Sequence, residues 1–318
     1  MNGSAIAALL PVIALIGTGF GLARVGLVRQ AAVKDMSNLV FLLLLPSLLF
    51  RTMAQVHIGE LDYRPIGVYF LSAIIVFVTT MLVYGFNTLA AARGLASMFS
   101  NAAMIGVPLV GLAFGEQGLV TLFTLISVHA LVLLTAATMV FELASSREQH
   151  ADDTHNKRSM GRTVWQAVRN SVIHPVPLPI LAGLLWSLTG WPLPDVLDTS
   201  LKMLGSAMGP MALLLVGITL AYTRIGAYWR PAMRITLVKS LVHPLVFLVC
   251  AWTLQLRGPA MGVMLICSAL PVGANALLFT QRYRVAEDEV VASIALSTLL
   301  ALMTMPLLLM LLHVLHGT

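Results

Sequence analysis

The feature that most constrains this chain is a series of uncharged stretches long enough to cross a lipid bilayer. They follow one another along all 318 residues, separated by short clusters of charged side chains. The stretches are 1–23, 36–50, 65–92, 94–115, 117–141, 170–194, 203–223, 240–256, 258–281 and 290–318. A helix needs roughly 18 or more apolar residues to span the hydrocarbon core. The two shortest stretches reach that length when a flanking charged residue lies at an interface. The pattern predicts ten transmembrane helices, which we number spans 1 to 10.

Composition supports this class and excludes several others. Hydrophobic residues make up 58% of the chain and charged residues 10%, whereas a soluble domain has about 25% charged residues. Met1 is followed by no basic residue before span 1, so we expect that span to be retained rather than cleaved. Cys250 and Cys267 both lie inside spans and predict packing rather than a disulfide or metal site. We expect no cofactor, no metal, no nucleic-acid partner and no appended soluble domain.

The distribution of Lys and Arg predicts an orientation. Most of these residues lie in the loops that follow the odd-numbered spans. The positive-inside rule then places those loops in the cytoplasm and both termini outside, in a multi-pass protein of the cytoplasmic (inner) membrane. The one long polar stretch, 146–169, is interpreted as a cytoplasmic linker between two halves, 1–145 and 170–318.

The prolines of the first half recur in the second half at a nearly constant offset. Pro11, Pro46, Pro65 and Pro108 are followed, 163 to 166 residues later, by Pro175, Pro210, Pro231 and Pro271. Each half has five spans, and a repeat with an odd number of spans must enter the membrane from opposite sides. The sequence therefore predicts two inverted five-helix repeats, a hallmark of secondary transporters.

Two of these prolines lie at the centre of spans 4 and 9. Each of these prolines has a glycine nearby and also an asparagine, Asn101 near Pro108 and Asn275 near Pro271. We expect both helices to be broken there, because proline lacks the amide hydrogen that continues a helix. The half-helix after each break has a partial positive charge of about +0.5 at its N-terminus, which favours an anion. The alternative is a pair of ordinary proline kinks packed against their neighbours.

Three stretches resemble the auxin efflux carrier family of bacterial and plant membrane transporters: "NLVFLLLLPSLLFRTMA" (38–54), "SNAAMIGVPLVGLAFGEQGL" (100–119) and 269–311. The resemblance implies ten helices in two inverted halves, with broken helices 4 and 9 crossing at the substrate site. It also implies a scaffold of spans 1, 2, 6 and 7, a moving domain of spans 3–5 and 8–10 that acts as an elevator, and a homodimer through the scaffold. Bacterial members, which the short central loop resembles, are described as permeases for malate, malonate and similar acids.

Carried over by position, the expected substrate contacts lie on the two breaks. They are Asn101, Ile105, Gly106, Val107 and Pro108 in span 4, and Leu270, Pro271, Val272, Gly273 and Asn275 in span 9. The family often has a further polar residue after the span-4 asparagine, whereas this chain has Ala102 and Ala103.

The ionisable residues inside spans are few. No Asp or Glu lies near the centre of a predicted span, which argues against a cation exchanger and leaves H⁺ or Na⁺ open as a coupling ion. His129 and His243 lie deep in spans 5 and 8 and could take a proton near neutral pH, or could be neutral and bonded to a backbone carbonyl. Lys239 either snorkels to the interface or lines the substrate cavity.

These patterns favour a non-enzymatic carrier that moves a small organic anion, a mono- or dicarboxylate, by alternating access. A sodium-coupled symporter of the bile-acid type has related topology, but it needs polar Na⁺ ligands, of which this chain offers few. An intramembrane enzyme would need paired acids, a Ser–His arrangement or metal ligands at mid-membrane. A receptor would usually bring a soluble output domain.

Overall fold

The computed structural model describes residues 4–55, 62–149, 177–223 and 225–316, and within these residues the chain is helical without a named strand. The helices are α1 Ser4–Arg24, α2 Ala32–Ala54, α3 Arg64–Tyr84, α4 Thr88–Met98, α5 Val107–Gln149, α6 Pro177–Leu188, α7 Asp195–Tyr222, α8 Trp229–Thr253, α9 Pro259–Ala269, α10 Asn275–Tyr283 and α11 Glu287–His316. Pro175, most of the predicted linker and both chain ends lie outside the described residues.

Length and composition confirm an all-α protein with membrane-spanning helices. Six helices of the described residues are long and apolar enough to cross a membrane. They are Ala32–Ala54, Arg64–Tyr84, Ala102–Ser145, Asp195–Tyr222, Trp229–Thr253 and Glu287–Leu312. Leu10–Arg24, Leu178–Leu188 and Pro259–Ala269 are shorter apolar helices. The ten-helix inverted repeat and the division at 145 and 170 stay predictions.

The sequence predicts breaks at Pro108 and Pro271, and the two interruptions that the structure shows lie differently relative to these prolines. Span 9 is interrupted between α9 and α10, at residues 270–274, where Pro271 lies; we call this interruption break two. Span 4 is interrupted at residues 99–101, between α4 and the π-helical turn Ala102–Gly106 that leads into α5; we call this interruption break one. Pro108 lies beyond that turn, inside the next helix, so the prediction that it marks the break is wrong. The π-helical turn explains why, because its wider hydrogen-bond spacing accommodates a proline that donates no amide hydrogen.

A second bend separates spans 4 and 5. The continuous helix α5 has non-helical angles at Gly115, with φ 63° and ψ −155°. Only glycine adopts such a backbone readily. The bend splits a helix that is too long for one crossing into a short piece before Gly115 and a long piece after it, as expected for spans 4 and 5.

Helices α1, α2, α6 and α7 form one packed group, which we call the frame. Glycines let its backbones approach closely: an added Cβ at Gly19 or Gly217 would collide with carbonyl oxygens across the α1–α7 contact, and one at Gly183 would collide with the α2 backbone. Small residues at such contacts are typical of membrane helix pairs. Arg51 of α2 pairs with Asp198 of α7, Nε to Oδ1 2.8 Å, so Arg51 has a partner in the frame.

Helices α3, α4, α5 and α8–α11 form a second group, which we call the body. In the described ranges its long-range polar contacts stay within it, such as the Arg93–Glu289 ion pair between α4 and α11 at 2.9 Å. Frame and body meet instead along an apolar cleft. Its lining comes from Val12, Ile13 and Ile16 of α1, Ile105 and Leu109 at the start of α5, and Thr298, Ala301, Leu302, Met305 and Pro306 of α11.

Candidate functional site at the two helix breaks

The two breaks pair with each other through their backbones. Ser100 and Val272 form an isolated antiparallel β-bridge. The amide of Asn101 donates to the Pro271 carbonyl at 2.9 Å, and the amide of Gly273 donates to the Phe99 carbonyl at 2.8 Å. Backbone groups that leave a helix inside a membrane must find partners within the protein. The pairing supplies them for both breaks at once, and it explains why both helices open at this level.

Gly273 is required at this bridge for space. An added Cβ would lie 2.6 Å from the Phe99 ring and 2.8 Å from the Ser100 carbonyl oxygen. Gly106 is also tight, because a Cβ there would lie 2.9 Å from the Leu270 side chain. The prediction that both glycines contact the substrate stays a prediction, and the structure shows that each allows close approach between the two broken segments.

Four helix ends converge on the bridge. α4 and α9 end there, and the turn that leads into α5 and the helix α10 begin there. The first amide groups of a helix and the last carbonyl groups have no partner inside it. Positively polarised and negatively polarised ends therefore lie next to each other in a part of the chain that is otherwise apolar.

The two expected asparagines lie at the positive ends. The Oδ1 atom of Asn101 caps the turn after break one by accepting from the Met104 amide at 3.3 Å. Within the described residues its Nδ2 group has no hydrogen-bond partner. Asn275 is the first residue of α10, is half-buried, and in the same part of the chain its side chain has no partner either. Both amides are therefore able to donate hydrogen bonds to a ligand.

The other expected contacts spread over a wider region. Leu270, Pro271 and Val272 are buried in break two. Ile105 lines the apolar cleft, Val107 is buried, and Pro108 faces Gly209 of α7 across the frame contact. The segment 105–108 therefore lies next to the bridge and between body and frame.

Lys239 is completely buried, at 0% exposure, so the alternative in which it snorkels to an interface is wrong. It lies in the π-helical segment Val238–Val242 of α8. Its Nζ atom donates to the Ser268 carbonyl at the end of α9, at 2.6 Å. Its amino group therefore caps one of the negative helix ends at the bridge.

A chain of hydrogen bonds reaches the same helix end from the other side. Ser100 donates to the Cys267 carbonyl at 2.7 Å. The Tyr69 hydroxyl lies 2.9 Å from Ser100 Oγ and 3.0 Å from His129 Nε2. Because a hydroxyl has one hydrogen and Ser100 uses its own on Cys267, Tyr69 must donate to Ser100 and His129 must donate to Tyr69. The contacts therefore fix the proton of His129 on Nε2.

His243 lies next to this chain without joining it. Its Nε2 atom is 3.4 Å from Ser72 Oγ, which donates to the Tyr69 carbonyl at 2.7 Å. The rings of His243 and Tyr69 are 5.6 Å apart. His243 Nδ1 is buried and has no partner within the described residues. The two histidines thus bracket one tyrosine, and among the residues that the structure describes neither bonds a backbone carbonyl.

Sequence reasoning missed Tyr69, Ser72, Ser100 and Ser268. A buried tyrosine needs a partner for its hydroxyl, so Tyr69, the tyrosine near the start of the apolar span 3, was the one available signal. No group of three or more His, Cys, Asp or Glu side chains within the described residues is arranged to hold a metal ion.

The comparisons with known proteins agree with this architecture. The family model described as "Membrane transport protein" matches residues 4–309. The chain is 22% identical to auxin efflux carrier component 8 of Arabidopsis thaliana over 65% of its length and 67% of that protein. It is 24% identical to an uncharacterized transporter of Methanothermobacter thermautotrophicus, covering 94% and 95% of the two chains. It is also 24% identical to a Rhizobium meliloti protein named for malonate transport, covering 93% and 92%. With a family match across nearly its whole length, this chain belongs to the auxin efflux carrier family of membrane transport proteins.

Proposed function

We propose that the protein is a secondary carrier that moves a small carboxylate, malonate or a similar mono- or dicarboxylate, by alternating access around the paired breaks. The observation that carries the proposal is the position of Asn101 and Asn275. Both occupy the positive ends of half-helices at one bridge, and the side-chain NH2 groups of both are without partners among the described residues.

An anion fits this arrangement better than a cation or a neutral solute. Free amide groups at a helix N-terminus bind carboxylates and phosphates, and the asparagine amides add further donors. Neither donor set carries a full charge of its own. The relative named for malonate transport supports a dicarboxylate as the first substrate to test.

The separation of frame and body supports movement of one against the other. The ion pairs Arg51–Asp198 and Arg93–Glu289 each lie within one group, as do the contacts at the bridge. The body contains both breaks, so it would carry the bound anion past the frame along the apolar cleft. H⁺ as a coupling ion, dimerisation through the frame and an orientation with both termini outside are further parts of this proposal.

The test is uptake of labelled malonate into proteoliposomes, together with calorimetric malonate binding in detergent. Replacing Asn101 or Asn275 with Leu removes the donors at similar volume. Each variant should weaken binding by about 1.5–3 kcal/mol, or roughly 10- to 150-fold, the cost of a lost hydrogen bond to a charged group. Asn38→Leu is the matched control, since Asn38 is exposed on α2.

Parent-like binding by both break variants would place the anion site elsewhere. Failure of the parent to bind or transport malonate, lactate, malate or indole-acetate would instead remove the carboxylate assignment. Retained folding of each variant is checked by size-exclusion chromatography and thermal unfolding.

A further inference from the structure

Lys239 has no acidic partner in the described part of the chain, although it is completely buried. A charged lysine inside a membrane is costly and is usually paired with an acid or with carbonyl groups. Here its one hydrogen-bond partner is the Ser268 carbonyl, 2.6 Å away. The ammonium group therefore lies where a helix end presents carbonyl oxygens.

The remaining ionisable groups around Lys239 come from three other positions. His243 lies one turn further along α8, His129 faces it from α5, and Cys267 faces it from α9. None of these is an Asp or Glu, so the compensating negative charge comes from the α9 terminus, worth about half an elementary charge. The Ser240 hydroxyl, next to Lys239 in the chain, is buried and has no partner among the described residues.

One backbone carbonyl, that of Ser268, therefore holds the amino group of Lys239 inside the body. Inward-facing backbone carbonyls bind alkali cations in place of water, and they bind an ammonium group in the same way. The Ser268 carbonyl lies in the body, three residues before Pro271, whose carbonyl accepts from the Asn101 amide. A cation there lowers the electrostatic cost of an anion at the neighbouring helix N-termini.

We infer that Lys239 is a built-in cation that takes the place of a coupling Na⁺ ion at the carbonyl end of α9. The inference rests on the proposed carrier function, since it concerns how that carrier is driven. A tethered ammonium group travels with the body in both directions. No external Na⁺ has to bind with the substrate, and a sodium gradient cannot drive the carrier.

The first experiment needs no substrate. Thermal unfolding of the purified full-length protein is compared in about 100 mM NaCl and about 100 mM choline chloride, for the parent, Lys239→Ser, Lys239→Met and Lys202→Ser. The shorter serine side chain leaves the position of the Lys239 amino group empty and adds a hydroxyl oxygen beside the Ser268 carbonyl. Methionine fills the same position without a charge or an oxygen. Na⁺ should raise the melting temperature of Lys239→Ser by about 2–4 °C, as expected for a ligand near ten times its Kd. The other three proteins should show no Na⁺-specific shift.

The second experiment measures malonate uptake by the parent with Na⁺ or choline outside. The two rates should be equal, and Lys239→Met should be much slower in both. Lys239→Ser should be slow in choline and faster in Na⁺. Lys202→Ser is the control, because Lys202 lies on α7 of the frame and away from the bridge.

Three outcomes would overturn the inference: saturable stabilisation of the parent by Na⁺, parent uptake that requires Na⁺, or a folded Lys239→Ser variant without a Na⁺ response. The parent measurements decide the matter even if the serine variant does not fold. Absence of malonate transport would contradict the proposed substrate. The Na⁺ dependence of the melting temperature would still test the inference about Lys239, because that experiment needs no substrate.

Discussion

The two helix breaks have the same backbone pairing and different electrostatics. Each receives one hydrogen bond from the other across the Ser100–Val272 bridge. Break one is followed by a side-chain cap from Asn101, whereas break two, at Ala274, has none. Near the end of α9, before break two, the Ser268 carbonyl accepts a hydrogen bond from the Lys239 side chain. At the end of α4 the bonds are all from backbone groups: the Phe99 amide donates to the Leu95 carbonyl, and the Phe99 carbonyl accepts from the Gly273 amide.

The backbone pairing is common to both breaks, whereas the side-chain contacts are not. We therefore assign the pairing to the fold and the one-sided side-chain contacts to the chemistry of the site. The bridge satisfies backbone groups of both breaks at once, so we expect both breaks to depend on it. The cap, the hydroxyl chain and the lysine are each present on one side only within the described residues. Two breaks with matching backbone bonds can therefore hold a site whose charges are asymmetric, and each asymmetric element can be tested separately.

The largest effect is expected from removing the shared element. Gly273→Ala should lower the free energy of unfolding by about 2–3 kcal/mol, the cost of overpacking a closely packed site, because its Cβ would meet the Ser100 backbone. Gly21→Ala is the control, since nothing lies within 4 Å of a Cβ there. Thermal or denaturant unfolding in detergent measures both, and equal stability of the two variants would show that the bridge is dispensable.

A smaller effect is expected from the hydroxyl chain, which reaches break one through Ser100. Tyr69→Phe removes the link between His129 and Ser100 and leaves a buried donor unpaired. We expect a loss of about 1–3 kcal/mol in unfolding free energy. Tyr63→Phe, at an exposed tyrosine, should change little. If Tyr69→Phe is as stable as the parent, the hydrogen-bond direction assigned to the chain does not hold.

The smallest effect distinguishes the two asparagines. Asn101→Leu removes a helix cap and should destabilise the protein by about 1 kcal/mol. Asn275→Leu removes a side chain that has no partner in the described residues, so its stability should stay within about 0.5 kcal/mol of the parent. Unfolding without substrate measures this difference. Equal losses would mean that Asn275 has a structural partner after all.

Much of the fold could be predicted from the sequence, because charge spacing and apolar length are enough to place most helices. The break in span 9 could also be predicted, since Pro271 and Gly273 occupy it directly. The break in span 4 could not: residues 99–101 contain neither proline nor glycine, and the helix opens there because break two pairs with it. The sequence predicts the break at Pro108, but a π-helical turn accommodates this proline inside the next helix.

The candidate site was only partly predictable for a similar reason. Asn101 and Asn275 lie beside the motifs and could be found. The burial of Lys239 depends on a π-helical segment in α8 and on the end of α9, and neither is visible in a local pattern. Tyr69 of α3 and Ser100, in the segment that follows α4, belong to no local motif, and they matter because the packing brings α3, α5 and α9 together around the bridge.

The apolar cleft between frame and body has a mechanical consequence. A contact made of aliphatic side chains has no directional bonds that must break in sequence, so one helix can shift past another by exchanging one set of dispersion contacts for a similar set. Friction along such a surface depends on side-chain shape and on the lipid that wets its edges. Two amide side chains introduced across the cleft, one at Ile16 and one at Leu109, would add a directional hydrogen bond that holds the body at one position relative to the frame.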